Sequence, residues 1–300
     1  MSRESRLFGA VEAGGTKFVC AIGDESGTLQ SETRFSTTEP RATLLKVREF
    51  LQGSGAARLS AIGLACFGPV VLDRRSANYG FIGKTPKAGW SHTDMVGALA
   101  RDFSCPVGFD TDVTGAALAE QRWGAGRGIQ NLVYLTVGTG IGGGVLVEGV
   151  PVHGLMHPEI GHIHPRRNAL DGDFAGVCPF HGDCLEGLAS GPAILARTGS
   201  ELQQLHASHA QWELQADYLG QLCAQLVLTV SPQRIIMGGG VMQQERLFPL
   251  LRARMLHWLG GYIERSEIVS DIDRYVVPAA LGARAGVLGA LRLAIGAAAP

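Results

Sequence analysis

One loop-rich segment carries four side chains of the kind that hold zinc. Cys178, His181 and Cys184 follow the spacing Cys-x2-His-x2-Cys, and His162 lies upstream in the same segment. Two thiolates and two imidazoles are the donor set of a closed tetrahedral zinc site, which leaves no position open for a substrate. The sequence therefore predicts a structural Zn²⁺ held by these four residues.

Other interpretations of this segment remain open from the sequence. His157 and His164 compete with His162 for the fourth position, and spacing does not decide among the three. Two unrelated buried cysteines beside surface histidines would give the same pattern, whereas a disulfide is disfavoured in a cytosolic protein. The remaining cysteines lie in or beside apolar runs, which is typical of small core residues; they are Cys20, Cys66, Cys105 and Cys223.

Two glycine-rich turns have the composition of phosphate-binding turns. The first contains Gly14, Gly15, Thr16 and Lys17, and the second contains Gly138, Thr139 and Gly140. Glycines allow successive backbone N–H groups to converge on an anion, and threonine adds a hydroxyl donor. For one such turn alone, a tight hairpin is the better explanation. Two similar turns, together with Gly238, Gly239 and Gly240 after a later strand, indicate a nucleotide whose phosphates lie between two lobes, although neither turn has a P-loop or Rossmann pattern.

Two carboxylates stand where a strand is predicted to give way to a helix. Asp110 and Asp112 flank Thr111 at this junction. Phosphoryl transfer to a hydroxyl requires a base that accepts the hydroxyl proton, and a fixed aspartate suits that role. A helix N-cap is the alternative, which this segment alone favours, above all for Asp110. Near the predicted metal, Glu159 and Glu186 are either ligands for a polyol or solvated loop carboxylates.

These residues lie within a pattern of alternating strands and helices. Residues 7–23 and 131–149 both read as strand, glycine-rich turn and strand. Further strands are predicted at 59–65, 107–110 and 234–237, and helices at 42–51, 91–102, 113–123 and 213–230, with a loop-like stretch at 150–183. The alternation predicts an α/β architecture, and the repeated hairpin predicts two related lobes. Gly282 and Gly286, four apart in the last predicted helix, would allow close helix packing.

The composition excludes several classes of protein. With 300 residues the chain is long enough for two domains, and its 46% hydrophobic residues are ample for a core. A net charge of −1 without a Lys/Arg block argues against nucleic-acid and membrane-surface partners. Apolar runs are too short to span a bilayer, and residues 1–6 lack the apolar core of a signal peptide. We therefore expect a cytoplasmic protein.

Together these motifs resemble the bacterial ROK family of sugar kinases, and its fructokinase branch in particular. The similarity runs essentially end to end. Its anchors are residues 12–17, 68–69, 111–112, 116–120, 138–144, 159–162, 178–186, 190–192 and 238–240.

The resemblance implies an actin-like, ribonuclease H-like ATPase fold with two lobes and an interlobe cleft. Residues 1–118 would form the N-terminal lobe, onto which a C-terminal helix at 284–300 packs back, and residues 119–283 the C-terminal lobe with the zinc-binding loop. By the same analogy Asp112 deprotonates the sugar hydroxyl. The sugar pocket would be lined by Gly68, Pro69, Thr111, Glu159, His162 and Glu186. Gly14, Gly15, Thr16, Lys17, Thr139 and Gly140 would hold phosphates, and Pro192, Gly238, Gly239, Gly240 and Val241 would border the nucleotide.

Several departures from the general family pattern resemble the fructokinase branch. Glu12 stands where most members have Asp, so that any contact to Mg²⁺ must come from a longer side chain. Thr111 replaces a usual Asn beside the predicted base, and the Cys-x2-His-x2-Cys cluster replaces a three-cysteine cluster. The segment at 85–90 points to the same branch.

The expected activity is transfer of the γ-phosphoryl group of Mg·ATP to a free hexose. D-fructose, giving fructose 6-phosphate, is the first expectation, and glucokinase, mannokinase or N-acetylhexosamine kinase activities are the alternatives within the family. A non-catalytic sugar-binding regulator is the alternative from another class. Repressors of this fold carry an added helix-turn-helix domain, for which a first strand beginning near Leu7 leaves no room. The resemblance also suggests a homodimer.

Overall fold

The computed structural model describes residues 6–53 and 59–299. Its strands are β1 (Phe8–Ala13), β2 (Lys17–Gly23), β3 (Leu29–Ser36), β4 (Ala61–Cys66), β5 (Val107–Thr111), β6 (Leu132–Val137), β7 (Ile141–Val147), β8 (Val150–Pro151), β9 (Arg234–Gly238) and β10 (Val276–Pro278). Its α-helices are α1 (Pro40–Gly53), α2 (Met95–Ala100), α3 (Asp112–Trp123), α4 (Leu185–Ala189), α5 (Gly191–Thr198), α6 (Gln211–Thr229), α7 (Leu247–Leu259), α8 (Ser266–Val269), α9 (Ile272–Tyr275) and α10 (Ala285–Ala297).

The chain divides into two compact units with sheets of the same order. The first unit comprises Met1–Trp123, Pro151–His157 and Ala283–Pro300, and the second comprises Gly124–Val150 and Pro158–Gly282. The strand order is β3-β2-β1-β4-β5 in the first sheet and β8-β7-β6-β9-β10 in the second. Counted within each unit, both sheets read 3-2-1-4-5. The repeated hairpin in the sequence is therefore one part of a repeated fold.

The first sheet explains why some strands were predicted and one was not. β1 pairs antiparallel with β2 and parallel with β4, which in turn pairs parallel with β5. Every residue of β4 is buried, as its uninterrupted apolar sequence requires. β3 lies at the sheet edge, where its residues alternate between exposed and half-buried positions. Its polar sequence gave no strand prediction.

Helix α10 lies directly on the first sheet because glycines remove the side chains between them. A Cβ atom at Gly63 of β4 would lie 1.7 Å from the Ala290 carbonyl oxygen. A Cβ at Gly289 would lie 2.3 Å from the carbonyl carbon of Gly115 in α3. The prediction that Gly282 shares this helix was wrong, because Gly282 lies in a separate 3-10 turn and has a φ of 54°.

In the second unit, α6 packs against α7. These two helices and the second sheet form most of the core of this unit. A Cβ at Gly220 of α6 would lie 2.6 Å from the Arg254 Cβ, so glycine permits this close crossing. Across residues 6–53 and 59–299, no helix is both long enough and apolar enough to cross a bilayer.

Candidate active site

The carboxyl edge of the first sheet gathers one group of predicted site residues. β1, β4 and β5 run parallel, so the segments that follow them leave the sheet at the same edge. β1 continues into the turn with Gly14, in which the Gly14 N–H donates to the Lys17 carbonyl oxygen over 3.0 Å. β4 continues toward Gly68 and Pro69, and the Phe67 N–H donates to the Ala13 carbonyl oxygen over 2.8 Å. β5 ends at Thr111, next to Asp112.

Thr111, rather than Asp110, caps helix α3. The Thr111 Oγ1 accepts a hydrogen bond from the Thr114 N–H over 3.1 Å and donates to the Thr114 Oγ1 over 2.7 Å. Asp112 is the first residue of α3, and its Oδ1 accepts from the Val113 N–H over 2.9 Å. A helix N-terminus favours a carboxylate at this position. The cap prediction is therefore correct for Thr111 and wrong for Asp110.

Asp110, which is buried, instead pairs with a partly exposed histidine that the sequence did not single out. Its Oδ1 accepts from the Thr111 N–H over 2.7 Å, and its Oδ2 lies 3.0 Å from the His153 Nε2. The hydrogen bond to Asp110 raises the pKa of His153, although partial burial of the imidazole opposes this. His153 belongs to the short segment Pro151–His157 that joins the first unit. In the same segment the buried His157 Nε2 accepts from the Val70 N–H over 3.0 Å, which removes His157 from the candidate metal ligands.

Glu12 has the features of a residue that faces a cation. Its Oε2 is buried and has no hydrogen-bond partner. Burial, and then the charge of Asp112, raise the pKa of Glu12 to about 7, while Lys17 and Arg34 act in the opposite direction. Because Mg²⁺ binds hard oxygen donors, an unpaired carboxylate oxygen near a second carboxylate fits this ion.

In the second unit, the glycine segments predicted to bind the nucleotide come together. The Gly138 N–H donates to the Gly140 carbonyl oxygen over 2.9 Å, and the Gly191 N–H donates to the Gly138 carbonyl oxygen over 2.7 Å. Gly239 has a φ of 92°, and a Cβ there would lie 2.3 Å from the Val137 carbonyl oxygen. One edge of the sheet thus holds the Gly138 turn, the residues after β9 and the start of α5. These segments contain Thr139, Gly140, Pro192, Gly238, Gly239, Gly240 and Val241.

The two glutamates predicted to bind the sugar also lie close to this turn. Glu186, in α4, accepts from the Ile141 N–H through its Oε2 over 2.9 Å. A Cβ at Gly140 would lie 2.7 Å from the same oxygen. Burial, and then the charge of Glu186, raise the pKa of Glu159 to about 7. A pair of carboxylates that repel each other in a half-buried site can be stabilised by hydroxyl donors, as a sugar would provide.

The four predicted zinc ligands form one cluster. The donor atoms of His162, Cys178, His181 and Cys184 all lie within 4.8 Å of one another. The His162 Nδ1 lies 3.9 Å from the Cys178 Sγ and 3.5 Å from the Cys184 Sγ, and the His181 Nδ1 lies 3.7 Å from the Cys178 Sγ. Zinc–sulfur and zinc–nitrogen bond lengths give a tetrahedral edge of roughly 3.6 Å between such atoms. The donor set and its spacing therefore fit zinc.

His164, the other candidate for the fourth ligand, lies outside this cluster. It is exposed, and its Nδ1 lies 3.6 Å from the Asp183 Oδ1. Of the cysteines assigned to the core, Cys20, Cys66 and Cys223 are buried, and Cys105 is partly exposed.

The ROK family model matches residues 8–297 of the sequence. The chain belongs to the ROK family. This match covers both units and every residue assigned above to the candidate site, and it confirms the family predicted from the motifs.

Proteins of known function differ in how much sequence they share with the chain. The fructokinase of Zymomonas mobilis is 42% identical over 302 residues, which cover 99% of each protein. The glucokinase of Streptomyces coelicolor is 27% identical over 320 residues, covering 95% of this chain and 96% of the glucokinase. The crystal structure of a ROK hexokinase from Thermus thermophilus superposes with a TM-score of 0.77 at 27% identity, covering 96% of this chain and 98% of that one. The predicted actin-like ATPase fold is thereby confirmed.

Proposed function

We propose that the protein is a fructokinase, which transfers the γ-phosphoryl group of ATP to free D-fructose and yields fructose 6-phosphate and ADP. This assignment rests on a comparison of two relatives that both align with nearly the whole chain. The Zymomonas mobilis fructokinase shares far more sequence with the chain than the Streptomyces coelicolor glucokinase does. Membership of the ROK family supports the broader class, an ATP:hexose phosphotransferase.

Asp112 is the proposed base. It would accept the proton of the attacking sugar hydroxyl while the phosphoryl group is transferred. Its position supports this role, because it follows a parallel strand at the edge where Gly14 and Gly68 also lie. When bound, Mg²⁺ supplies positive charge to the phosphate oxygens. The unpaired Oε2 of Glu12 makes Glu12 the residue of the first unit best suited to face that ion.

The remaining site residues are divided between sugar and nucleotide. The proposed sugar ligands are Gly68, Pro69, Thr111, Glu159, His162 and Glu186. The proposed phosphate and nucleotide ligands are Gly14, Gly15, Thr16, Lys17, Thr139, Gly140, Pro192, Gly238, Gly239, Gly240 and Val241. Backbone N–H groups at glycine turns and hydroxyl donors from threonine are suited to phosphate oxygens, whereas paired carboxylates are suited to sugar hydroxyls.

A structural zinc at His162, Cys178, His181 and Cys184 is part of the proposal. The donor distances support it, and so does the position of the ligands along the chain. His162 lies three residues after Glu159, and Cys184 lies two residues before Glu186. The ion would therefore fix both sugar carboxylates by ordering the backbone that carries them, without entering the chemistry.

A cytoplasmic location and a homodimer complete the proposal. The absence of a helix fit to span a bilayer among the described residues is compatible with the first. Light scattering at working concentrations tests the homodimer, and a monomeric mass at all concentrations would contradict it.

The direct test is release of ADP in the presence of Mg·ATP with fructose, glucose, mannose or N-acetylglucosamine at matched concentrations. We expect a strong preference for fructose, and analysis of the product identifies the phosphorylated hydroxyl. A preference for another sugar would retain the assignment as a sugar kinase and overturn the assignment of fructose as its substrate. Folded protein that phosphorylates none of the four sugars would favour a sugar-binding regulator instead.

A further inference from the structure

The side chain of Glu12 lies directly against the first turn of α10. A Cβ atom placed on Gly286 would lie 2.3 Å from the Glu12 Cδ, 2.4 Å from its Oε1 and 2.8 Å from its Oε2. These distances are far below van der Waals contact. The Glu12 carboxylate thus occupies the space that a side chain at position 286 would need.

The backbone conformation of Gly286 does not explain why glycine stands there. It is the second residue of an α-helix and is not among the glycines with positive φ. In a helix interior glycine is less favourable than alanine. Alanine is also common in this helix, whose sequence includes Ala285, Ala290 and Ala294. The demand for glycine at 286 therefore comes from its neighbour.

Helix α10 cannot move away from Glu12 at small cost. Gly289 is packed on the backbone of Gly115, and Ala290 is packed on Gly63 of β4. Both contacts join backbone to backbone, so they fix the distance of the helix from the sheet. The Glu12 carboxylate, in contrast, is the far end of a flexible side chain. A Cβ at position 286 would displace the carboxylate and leave the helix in place.

We propose that Gly286 is a positioning residue, which leaves the space that the Glu12 carboxylate needs in order to face the metal–nucleotide site. The requirement follows from the length of glutamate, because aspartate at position 12 would end one methylene earlier and withdraw from Gly286. This inference rests on the proposed function in so far as Glu12 faces Mg²⁺. The steric coupling between positions 12 and 286 is independent of that function.

A double-mutant cycle tests the proposal with the full chain. The variants are Gly286→Ala, Glu12→Asp and the double variant, with Gly296→Ala as the matched control. A Cβ at Gly296, in the same helix, meets only the end of the flexible Arg292 side chain, at 3.3 Å. For each variant we would measure kcat/KM for fructose, the Mg²⁺ concentration for half-maximal activity, and the rise in Tm on adding Mg·ADP compared with ADP alone. No chelator is added, so that the proposed zinc site is left intact.

We expect Gly286→Ala to lower kcat/KM by about tenfold to a hundredfold, as a displaced catalytic-site group does. The Mg²⁺ requirement should rise and the Mg·ADP-dependent shift in Tm should shrink, while the Tm of the free protein is kept or raised by the better helix former. Adding Glu12→Asp should recover most of the loss caused by Gly286→Ala. Gly296→Ala should match the wild type.

Three results for the variants would overturn the inference. The first is wild-type kinetics and a wild-type Mg·ADP shift for Gly286→Ala, and the second is a loss in the double variant equal to the product of the single losses. The third is a fall in the Tm of the free protein that Glu12→Asp does not relieve. The last outcome would mean that Gly286 serves only helix packing. If the wild type lacks kinase activity, the proposed function fails. The Mg·ADP-dependent shift in Tm then still tests the coupling between positions 12 and 286. A wild type with neither activity nor an Mg·ADP shift would overturn both.

Discussion

The Glu186 carboxylate and the Ile141 backbone are joined by a hydrogen bond of 2.9 Å, in which the Ile141 N–H donates to the Oε2. Ile141 is the first residue of β7, immediately after the turn with Gly140. The missing Cβ of Gly140 leaves room for the same oxygen. A residue proposed to bind the sugar and a turn proposed to hold phosphate are thus one hydrogen-bonded unit.

Replacing Glu186 with Gln and with Ala separates its structural bond from its charge. In Glu186→Gln the amide oxygen can still accept from the Ile141 N–H, so the free energy of unfolding should stay near the wild-type value. Glu186→Ala leaves that N–H without its partner, which should cost about 1–3 kcal/mol in urea titrations. Both variants should raise KM for fructose. Glu245→Ala, at an exposed position, is the control. Equal stability of the Gln and Ala variants would show that the bond contributes nothing.

Asp112→Asn tests the base. The Asn oxygen can keep the bond to the Val113 N–H, so the fold should be retained, but an amide cannot accept the hydroxyl proton. We expect kcat to fall by about 10²- to 10⁴-fold, with little change in KM for fructose. Asp173→Asn, an exposed change in the second unit, is the control. Activity of Asp112→Asn within about tenfold of wild type would remove Asp112 from this role.

Zinc removal should destabilise the protein. Because a closed site links metal binding to folding, chelation should lower Tm by more than about 5 °C, and added Zn²⁺ should restore it. Metal analysis of the freshly purified protein should find one zinc per chain. Cys178→Ser should reproduce the loss, whereas Cys105→Ser, outside the cluster, should keep the metal. Metal-free protein with the full Tm would contradict a structural zinc site.

The sequence predicted most of the fold where the signal is local. The two hairpins and the buried strand β4 were predicted because an apolar run that ends in a glycine turn indicates a buried strand. Helix α2 was predicted four residues too early, since Asp94 accepts from the Gly97 N–H and sets the start at Met95. β3 was missed because an edge strand with polar residues on one face resembles a loop.

The site was predictable to the extent that its chemistry depends on residue types at fixed spacing. Three zinc ligands lie within one short segment, but choosing His162 over His157 and His164 required the folded chain. The partner of Asp110 was not predictable, because His153 lies on a distant segment. Glu12 and Gly286 are separated by nearly the whole sequence, so only the packing of α10 on the sheet reveals their contact. The roles of Asp112, Glu159 and Glu186 came from the family resemblance and remain predictions.

The pair of His153 and Asp110 should make stability depend on pH in a definite direction. The pKa of His153 is raised by its hydrogen bond to Asp110, above the ordinary histidine value of about 6.5. The folded protein therefore holds this proton more tightly than the unfolded chain does. Its contribution to stability is complete below about pH 6.5 and is lost as the pH rises through the raised pKa.

His153→Gln keeps a donor for Asp110 but cannot become charged. The wild type should exceed this variant in free energy of unfolding near pH 6, and the difference should shrink toward pH 9. Added salt should reduce the difference, because the imidazole is partly exposed and its charge is screened. A difference between wild type and His153→Gln that stays constant from pH 6 to pH 9 would contradict a stabilising charged pair of His153 and Asp110.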